Sequence, residues 1–360
     1  MKNLYLLVPI LFMIFYSEYS RSEFRTGGPS EGFWVNYYDN GQIKSEGGIK
    51  NRKFDGLWVW YHTDGSILAK THFLKGKREG ISFDYYPSGN LRQKSNFKED
   101  EFHGAHVKLF ENGSVEWRVN FINGKRSGLF ERFYKNGNLS ETYILENGKT
   151  EGIYTKFYET GEPITRYSYK NDIQDGLVEV FYEDGYLMMR GYGKTKRNKL
   201  SLDGPLEFYY GGGKLEWAGN MKNDKKEGLW KLFDDINGQI LQKYNYKKGK
   251  LRGPFEYFHD TGKLWLKGSY GKNEQLEGLT EFFYESGELE YQGNIKRGKP
   301  VGKWVWFTKS GKIDYVGKYK NGVFLLEDEK SDYKDIVTIL YENKLLPPEA
   351  ENILDRLNNN

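Results

Sequence analysis

"GLWVWYHTDGSILAKTHFLKGKREG", residues 56–80, runs from one glycine to another, carries Gly65 nine residues in, and places Trp58, Trp60 and Tyr61 between the first two. The pattern returns along the chain. Counting Gly56 as a start, further starts fall at Gly32, Gly80, Gly104, Gly128, Gly152, Gly176, Gly204, Gly228, Gly253, Gly278 and Gly302, spaced 24 residues apart except for steps of 28, 25 and 25. Self-similarity at such a period marks a repeat architecture, so the usual expectation of one domain per ~150 residues does not apply to these 360.

Within each copy the apolar side chains alternate. The fifth residue after the start is aromatic (Tyr37, Tyr61, Phe157 and Phe307 among them) in every copy except the one holding Leu109. Two residues past the second glycine comes a branched or aliphatic residue, such as Ile43, Ile67 and Leu91, and six further on Ile49, Phe73 and Phe97. Even spacing of this kind belongs to strands, since a helix needs a period near 3.6. Asp39-Asn40-Gly41, Glu111-Asn112-Gly113 and Lys135-Asn136-Gly137 at one end, and Asn123-Gly124, Asn147-Gly148 and Lys75-Gly76 at the other, supply the positive φ of tight turns. Each copy therefore reads as one β-hairpin. The predicted fold is all-β, an elongated antiparallel meander of about twelve 24-residue β-hairpin repeats over residues 32–325, wound as a coiled single sheet or solenoid. The fifth-position aromatics are expected to form its buried face.

The two ends differ from the array. Residues 1–22 have Lys2, an apolar run from Leu4 to Tyr16 and a polar close at Ser20-Arg21-Ser22, the layout of a signal peptide cleaved after Ser22; the run is shorter than the ~20 residues of a spanning helix. Residues 23–31 then form a linker. In the tail, 326–360, Ser331 precedes a stripe of Tyr333, Ile336, Val337, Leu340 and Tyr341, and Pro347-Pro348 precedes Ala350, Ile353, Leu354 and Leu357. Two short helices are expected there, a C-terminal cap over the last strand edge. The chain is then exported, to the periplasm, outer envelope or extracellular space.

At this point the residues carry a resemblance. "GLWVWYHTDGSILAK" and "GLFERFYKNGNLSETYILENGKTEG" (residues 128–152) resemble the variant MORN repeats of bacterial proteins, and the likeness extends from Gly32 to about Leu325. It implies a β-repeat scaffold. Relatives of this kind include antitoxin-like proteins and scaffolds that bind proteins or membranes. The copies depart from the pattern at Ala105-His106, which lacks the opening aromatic, and between Gly193 and Asp203, where four residues are added.

Chemistry is sparse. Gly193-Lys194-Thr195 resembles the end of a phosphate loop, but Met188 stands where its first glycine belongs, and no strand-loop-helix setting follows. His103 and His106 lack the further ligands of a metal site. Acidic residues before the start glycines (Asp55, Glu79, Glu151, Asp175, Asp203, Glu227, Glu277) recur with the repeat and are expected as turn formers. No catalytic set, cofactor or metal site is expected, so the chain reads as no enzyme. With 54 basic against 50 acidic residues and no charge blocks, no nucleic-acid footprint exists. Membrane contact is not indicated, and oligomeric state is not encoded legibly.

The face alternating with the fifth-position rings carries Trp34, Trp58, Trp60, Trp230, Trp304 and Trp306, with Tyr38, Tyr86, Tyr134, Tyr158, Tyr182, Tyr210 and Tyr284. Such rings suit a protein partner or an envelope polysaccharide, and these six tryptophans are the candidate partner-binding residues. Packing of the same rings along the strand ladder is the other reading of that face. The functional expectation is a non-catalytic exported scaffold that binds another macromolecule, a protein, through an aromatic-rich sheet surface. An antitoxin or immunity role and a carbohydrate or cell-wall binding module are the alternatives.

Overall fold

A computed structural model describes residues 30–196 and 199–325. The signal peptide, most of the linker and the helical tail expected from sequence lie outside the described residues. Those that are described form 26 strands, from Glu31–Tyr37 to Val323–Leu325, and no helix. The chain divides into two compact units: residues 1–139 with 145–148, and 140–144 with 149–360.

The repeat is the same in both. Strand Lys53–Tyr61 is joined to Ile67–Leu74 by a turn in which His62 N–H donates to Ser66 O (2.8 Å) and Gly65 N–H donates to His62 O (3.0 Å). The Asp64 carboxylate accepts the Ser66 N–H at 2.8 Å, as a turn aspartate should. The strand then reverses at Lys75-Gly76, with φ of 54° and 86°, into Lys77–Tyr85. Two successive positive φ values make this the type I′ turn whose twist matches an antiparallel pair. The sequence expectation of an all-β antiparallel meander holds.

The start glycines, however, are not turn residues. Gly56 lies inside strand Lys53–Tyr61 with φ of 83°, and the partner register slips there: Trp58 pairs with Gly47 while Phe54 pairs with Ile49. Residues 55–57 thus bulge opposite Gly48, and glycine is needed because the bulge has positive φ. The acidic neighbour has its own task. Asp55 accepts the Lys75 N–H (3.2 Å), Glu79 that of Glu99 (2.9 Å), Glu151 that of Asn171 (2.8 Å) and Glu227 that of Lys248 (2.7 Å). Each carboxylate satisfies the open N–H of the following turn, 20 or 21 residues on.

On the first strand of each hairpin the buried face is the reverse of the one expected, while the second-strand set of Ile49, Phe73 and Phe97 is buried as its spacing implied. Trp58, Trp230 and Trp304 are wholly buried, and Ile49, Phe73, Tyr246, Ile295 and Tyr319 join them in the cores. Of the fifth-position rings, Tyr37 is exposed, Tyr61, Phe157, Phe233 and Phe307 are only half-buried, and Phe181 is buried. The ring sits at the strand's end, past a second register slip (Trp60/Tyr61), where in several repeats a cation from the preceding repeat lies over it. Arg166 lies 4.9 Å from the Phe181 ring, Lys243 4.8 Å from Phe258 and Lys267 5.3 Å from Phe283. Such a contact between cation and ring of successive repeats is worth roughly 0.5–1 kcal/mol when exposed.

Candidate interaction surfaces

Five of the six candidate tryptophans belong to the core: Trp58, Trp230 and Trp304 have no exposed surface and Trp60 and Trp306 are buried, while Trp34 is half-buried against Trp58's cluster. Their expected place on an open face is therefore corrected. The reason lies one strand away. Gly47 faces Trp34 on one side and Trp58 on the other; Gly293 and Gly317 flank Trp304; Gly219 lies under Trp230. A β-carbon at Gly47, Gly219 or Gly293 would land inside the neighbouring indole, so the ring lies flat over bare backbone and is shielded by it. Trp58 Nε1 donates to Gly48 O (2.8 Å) and Trp230 Nε1 to Asn220 O (3.1 Å), which consumes the polar handle a ligand would use.

The tyrosines of that group are structural as well. Tyr38 Oη donates to Tyr61 O (2.7 Å), Tyr86 to Leu109 O (2.8 Å), Tyr182 to Tyr209 O (2.8 Å), Tyr210 to Phe233 O (2.9 Å) and Tyr284 to Phe307 O (2.7 Å). Each hydroxyl bridges to the next repeat, and burial raises the pKa of Tyr86, Tyr182, Tyr210 and Tyr284, keeping the donor proton in place.

Unit by unit, the inner face differs. In the second unit an aromatic and aliphatic core is nearly continuous from Val178 to Tyr319. Lys226 lies within it, 4.7 Å from the Trp230 ring, 5.0 Å from Tyr246 and 5.6 Å from Trp217, and burial lowers its ammonium pKa to about 8. In the first unit the same rows hold Thr71, Ser82, Asp84, Gln93, Ser95 and His106, all buried. Thr71 and Ser82 share a hydrogen bond of 2.7 Å, Gln93 Nε2 donates to Asp84 and to Ser95 (3.2 Å each), and Ser95 Oγ lies 3.4 Å from His106 Nε2. His106 stacks on Phe102 (4.8 Å) and Trp117 (4.9 Å); burial, with the Arg126 charge in support, lowers its pKa to about 4. It stands two residues after Gly104, where Trp58 and Trp230 follow their own start glycines, and serves as a neutral ring in the stack. Among the described residues no group of three or more His, Asp or Glu could hold a metal ion. Gly193-Lys194-Thr195 lies within strand Leu187–Lys196, paired with Leu202, Ser201 and Leu200, and forms no loop.

Six windows of the chain, residues 31–51, 54–75, 78–99, 150–171, 276–297 and 300–321, match the family model of the MORN repeat variant. Each window spans one hairpin of the kind just described. These six hairpins are variant MORN repeats. The hairpins outside these windows keep the geometry while departing in sequence, as where His106 and Phe130 replace the tryptophan of Trp58. No curated protein matches the chain at a significant level. Among solved structures, a mutant TarM of S. aureus with fondaparinux, alpha-GlcNAc-glycerol and UDP is 13% identical, with 39% of this chain and 23% of that chain covered and a TM-score of 0.23. TcdB2-TccC3 without its hypervariable C-terminal region gives 10% identity, 82% and 17% coverage and a TM-score of 0.18. A porin-like protein from Bacteroides uniformis gives 10%, 82% and 93%, with 0.15. The chain spans about a quarter of the TarM chain, and none of these likenesses lends it an activity.

What the MORN repeats do expose is a feature the tryptophans drew attention away from. The residue directly after the start glycine is an exposed aliphatic in both units: Leu57 (44%), Ile81 (39%) and Leu129 (51%) in the first, Ile153, Leu229 and Leu279 in the second. Phe33, at the same position of the first repeat, is more exposed still. The signal was available in sequence, since Leu or Ile follows glycine in most copies. It could have been separated from core only by knowing that the glycine is a bulge.

Proposed function

We propose that this MORN-repeat chain is a non-catalytic, exported scaffold that binds a protein partner, in the periplasm, the outer envelope or outside the cell. The observation that supports the reading is the exposed aliphatic that follows the start glycine in six of the twelve repeats, Leu57, Ile81, Leu129, Ile153, Leu229 and Leu279. A single exposed leucine is ordinary, but the same position exposed in successive repeats forms a row, and a row of apolar groups rimmed by charge is what partner surfaces present. Around it the charges are already paired: Lys243 with Glu256 at 2.8 Å and Lys267 with Glu281 at 2.9 Å, which leaves a largely neutral rim. A carbohydrate-binding role loses the open tryptophan stripe on which it rested, because those rings are buried.

The test is a triple variant, Leu57→Ser with Ile81→Ser and Leu129→Ser. Its melting temperature should stay near that of the parent chain, since surface changes are usually within about 0.5 kcal/mol each. Recovery of the partner from an envelope fraction should fall to background. A well-folded triple variant that recovers the same partner in the same yield rejects this surface. N-terminal sequencing of the mature protein, expected to begin after Ser22, checks export separately.

A further inference from the structure

One turn of the second unit departs from the pattern. Elsewhere among the described residues successive hairpins are joined through two residues, as at Lys248-Gly249 (φ 54° and 82°) and Arg297-Gly298 (53° and 73°). Between strands Leu264–Tyr270 and Gly278–Phe283 the reversal takes residues 271–277 instead. It is a closed loop: Gly271 N–H donates to Gln275 O (2.8 Å), Glu277 N–H donates to Ser269 O (2.9 Å), and Tyr270 bridges to Leu276. The widening leaves a cleft of about 570 Å³, open to solvent and lined by Arg252, Lys272 and Arg297 together with Ser269, Asn273 and Gln275, of which Lys272, Asn273, Gln275 and Arg297 are exposed.

The charges there are unbalanced. Glu277 also lines the cleft, but its Oε2 accepts the Arg297 N–H at 3.3 Å. The nearby Glu274 accepts the Leu251 N–H (3.3 Å) and lies 3.6 Å from Lys250. Both carboxylates are thus tied to backbone, and none of Arg252, Lys272 or Arg297 makes an ion pair among the described residues. Glu274 is offset by Lys250, which leaves Arg252, Lys272 and Arg297 against the single charge of Glu277 around the cleft, a net positive lining that attracts an anion.

We propose that the cleft is a binding site for a phosphomonoester, of the size of a sugar phosphate. Two guanidinium groups can each grip phosphate oxygens in a fork, the Lys272 ammonium completes neutralisation of a dianion, and Ser269, Asn273 and Gln275 offer partners to sugar hydroxyls. The row residues chosen for substitution above, Leu57, Ile81 and Leu129, belong to the first unit, so the two tests are independent.

The experiment is calorimetric titration of the full chain with glucose 6-phosphate, with glucose as control, alongside sedimentation with phosphatidylcholine vesicles carrying phosphatidic acid. The first arm reports a soluble phosphomonoester and the second a lipid headgroup; binding in either supports the site. Arg252→Gln and Arg297→Asn should each weaken that binding at least tenfold with the melting temperature unchanged, Asn being chosen because it tolerates the positive φ at 297. Lys272→Gln, on the exposed loop, gives the same readout should either arginine variant melt early. No binding of either probe by the parent chain, or equal binding by the parent and by a folded double variant, overturns the proposal.

Discussion

The two units build their inner faces from the same rows and fill them in opposite ways. In the second unit, large rings alternate with glycine: Trp304 between Gly293 and Gly317, Phe255 against Gly268, Trp230 over Gly219. In the first unit, past Trp58 and Trp60, the rows continue as Thr71, Ser82 and Ser95, with Ala69, Asp84 and Gln93 beside them. The second unit gains mainly from burial of apolar area, while this stretch of the first relies on a run of hydrogen bonds from Thr71 to His106, which near ~1 kcal/mol apiece stabilise less. A hairpin ladder therefore sets the positions that face inward and leaves their chemistry free, provided each buried polar atom is met.

The largest difference should come from truncating a ring. Trp304→Ala is expected to cost about 3–5 kcal/mol, whereas Ser82→Ala in the polar row should cost about 1 kcal/mol. Denaturant titration of each variant measures both. Equal losses would erase the distinction between the faces.

Acid should single out the first unit. His106 has a folded pKa of about 4 against an ordinary value near 6.5, so between those values the unfolded chain takes up a proton that the folded chain refuses. Stability then falls as the pH drops through this window, by roughly 3 kcal/mol across it, and is fully present above about 6.5. His106→Phe, which copies Phe130 at the same place in the next repeat, should remove the slope for that residue. Melts at intervals from pH 7 to 4 decide it, and an unchanged slope in the variant would move the acid sensitivity elsewhere.

Gly293→Ala tests the interlock of ring and glycine. The added methyl meets the Trp304 indole and should cost about 1–3 kcal/mol by overpacking. Pairing it with Trp304→Leu should recover part of that loss, and additivity of the two changes would mean that they do not touch.

The smallest expected effect belongs to the links between repeats. Tyr210→Phe removes the bond to Phe233 O and should cost about 1 kcal/mol, leaving spectra of the folded state unchanged. A loss several times larger would show that the hydroxyl also holds the turn.

Much of this architecture was legible in the chain. Twelve glycine pairs at a fixed period, with Asn-Gly and Asp-Gly between alternating residues, left the hairpin as the unit. What failed was the choice of face. The fifth-position rings were the more uniform set, yet most of them are only half-buried, some under a cation of the preceding repeat as Phe283 is under Lys267, a contact between repeats that no single-repeat pattern displays. The clue to the true core was Gly47, Gly219 and Gly293, thirteen or eleven residues from the indoles they face, and readable only once strand register is known. The start glycines misled for a related reason: Asp-Gly spells a turn, and an in-strand bulge uses the same two residues. The widened turn at 271–277 was written only as a step of 25 residues, too small a departure to stand out.

The bonds that join successive hairpins also set how such a chain can change in length. Tyr38 reaches a carbonyl 23 residues on, the second residue of a type I′ turn donates back 22 residues, as Asp100 does to Arg78, and Asp55 caps a turn 20 residues away. Where a repeat is enlarged by four residues the tyrosine link stretches with it, from Tyr182 to Tyr209, 27 residues on. A duplication or loss of one whole period remakes every one of these links between new neighbours, while a cut out of phase strands a donor at each. Gene segments coding for such arrays are thus free to expand and contract, but only in steps of one hairpin.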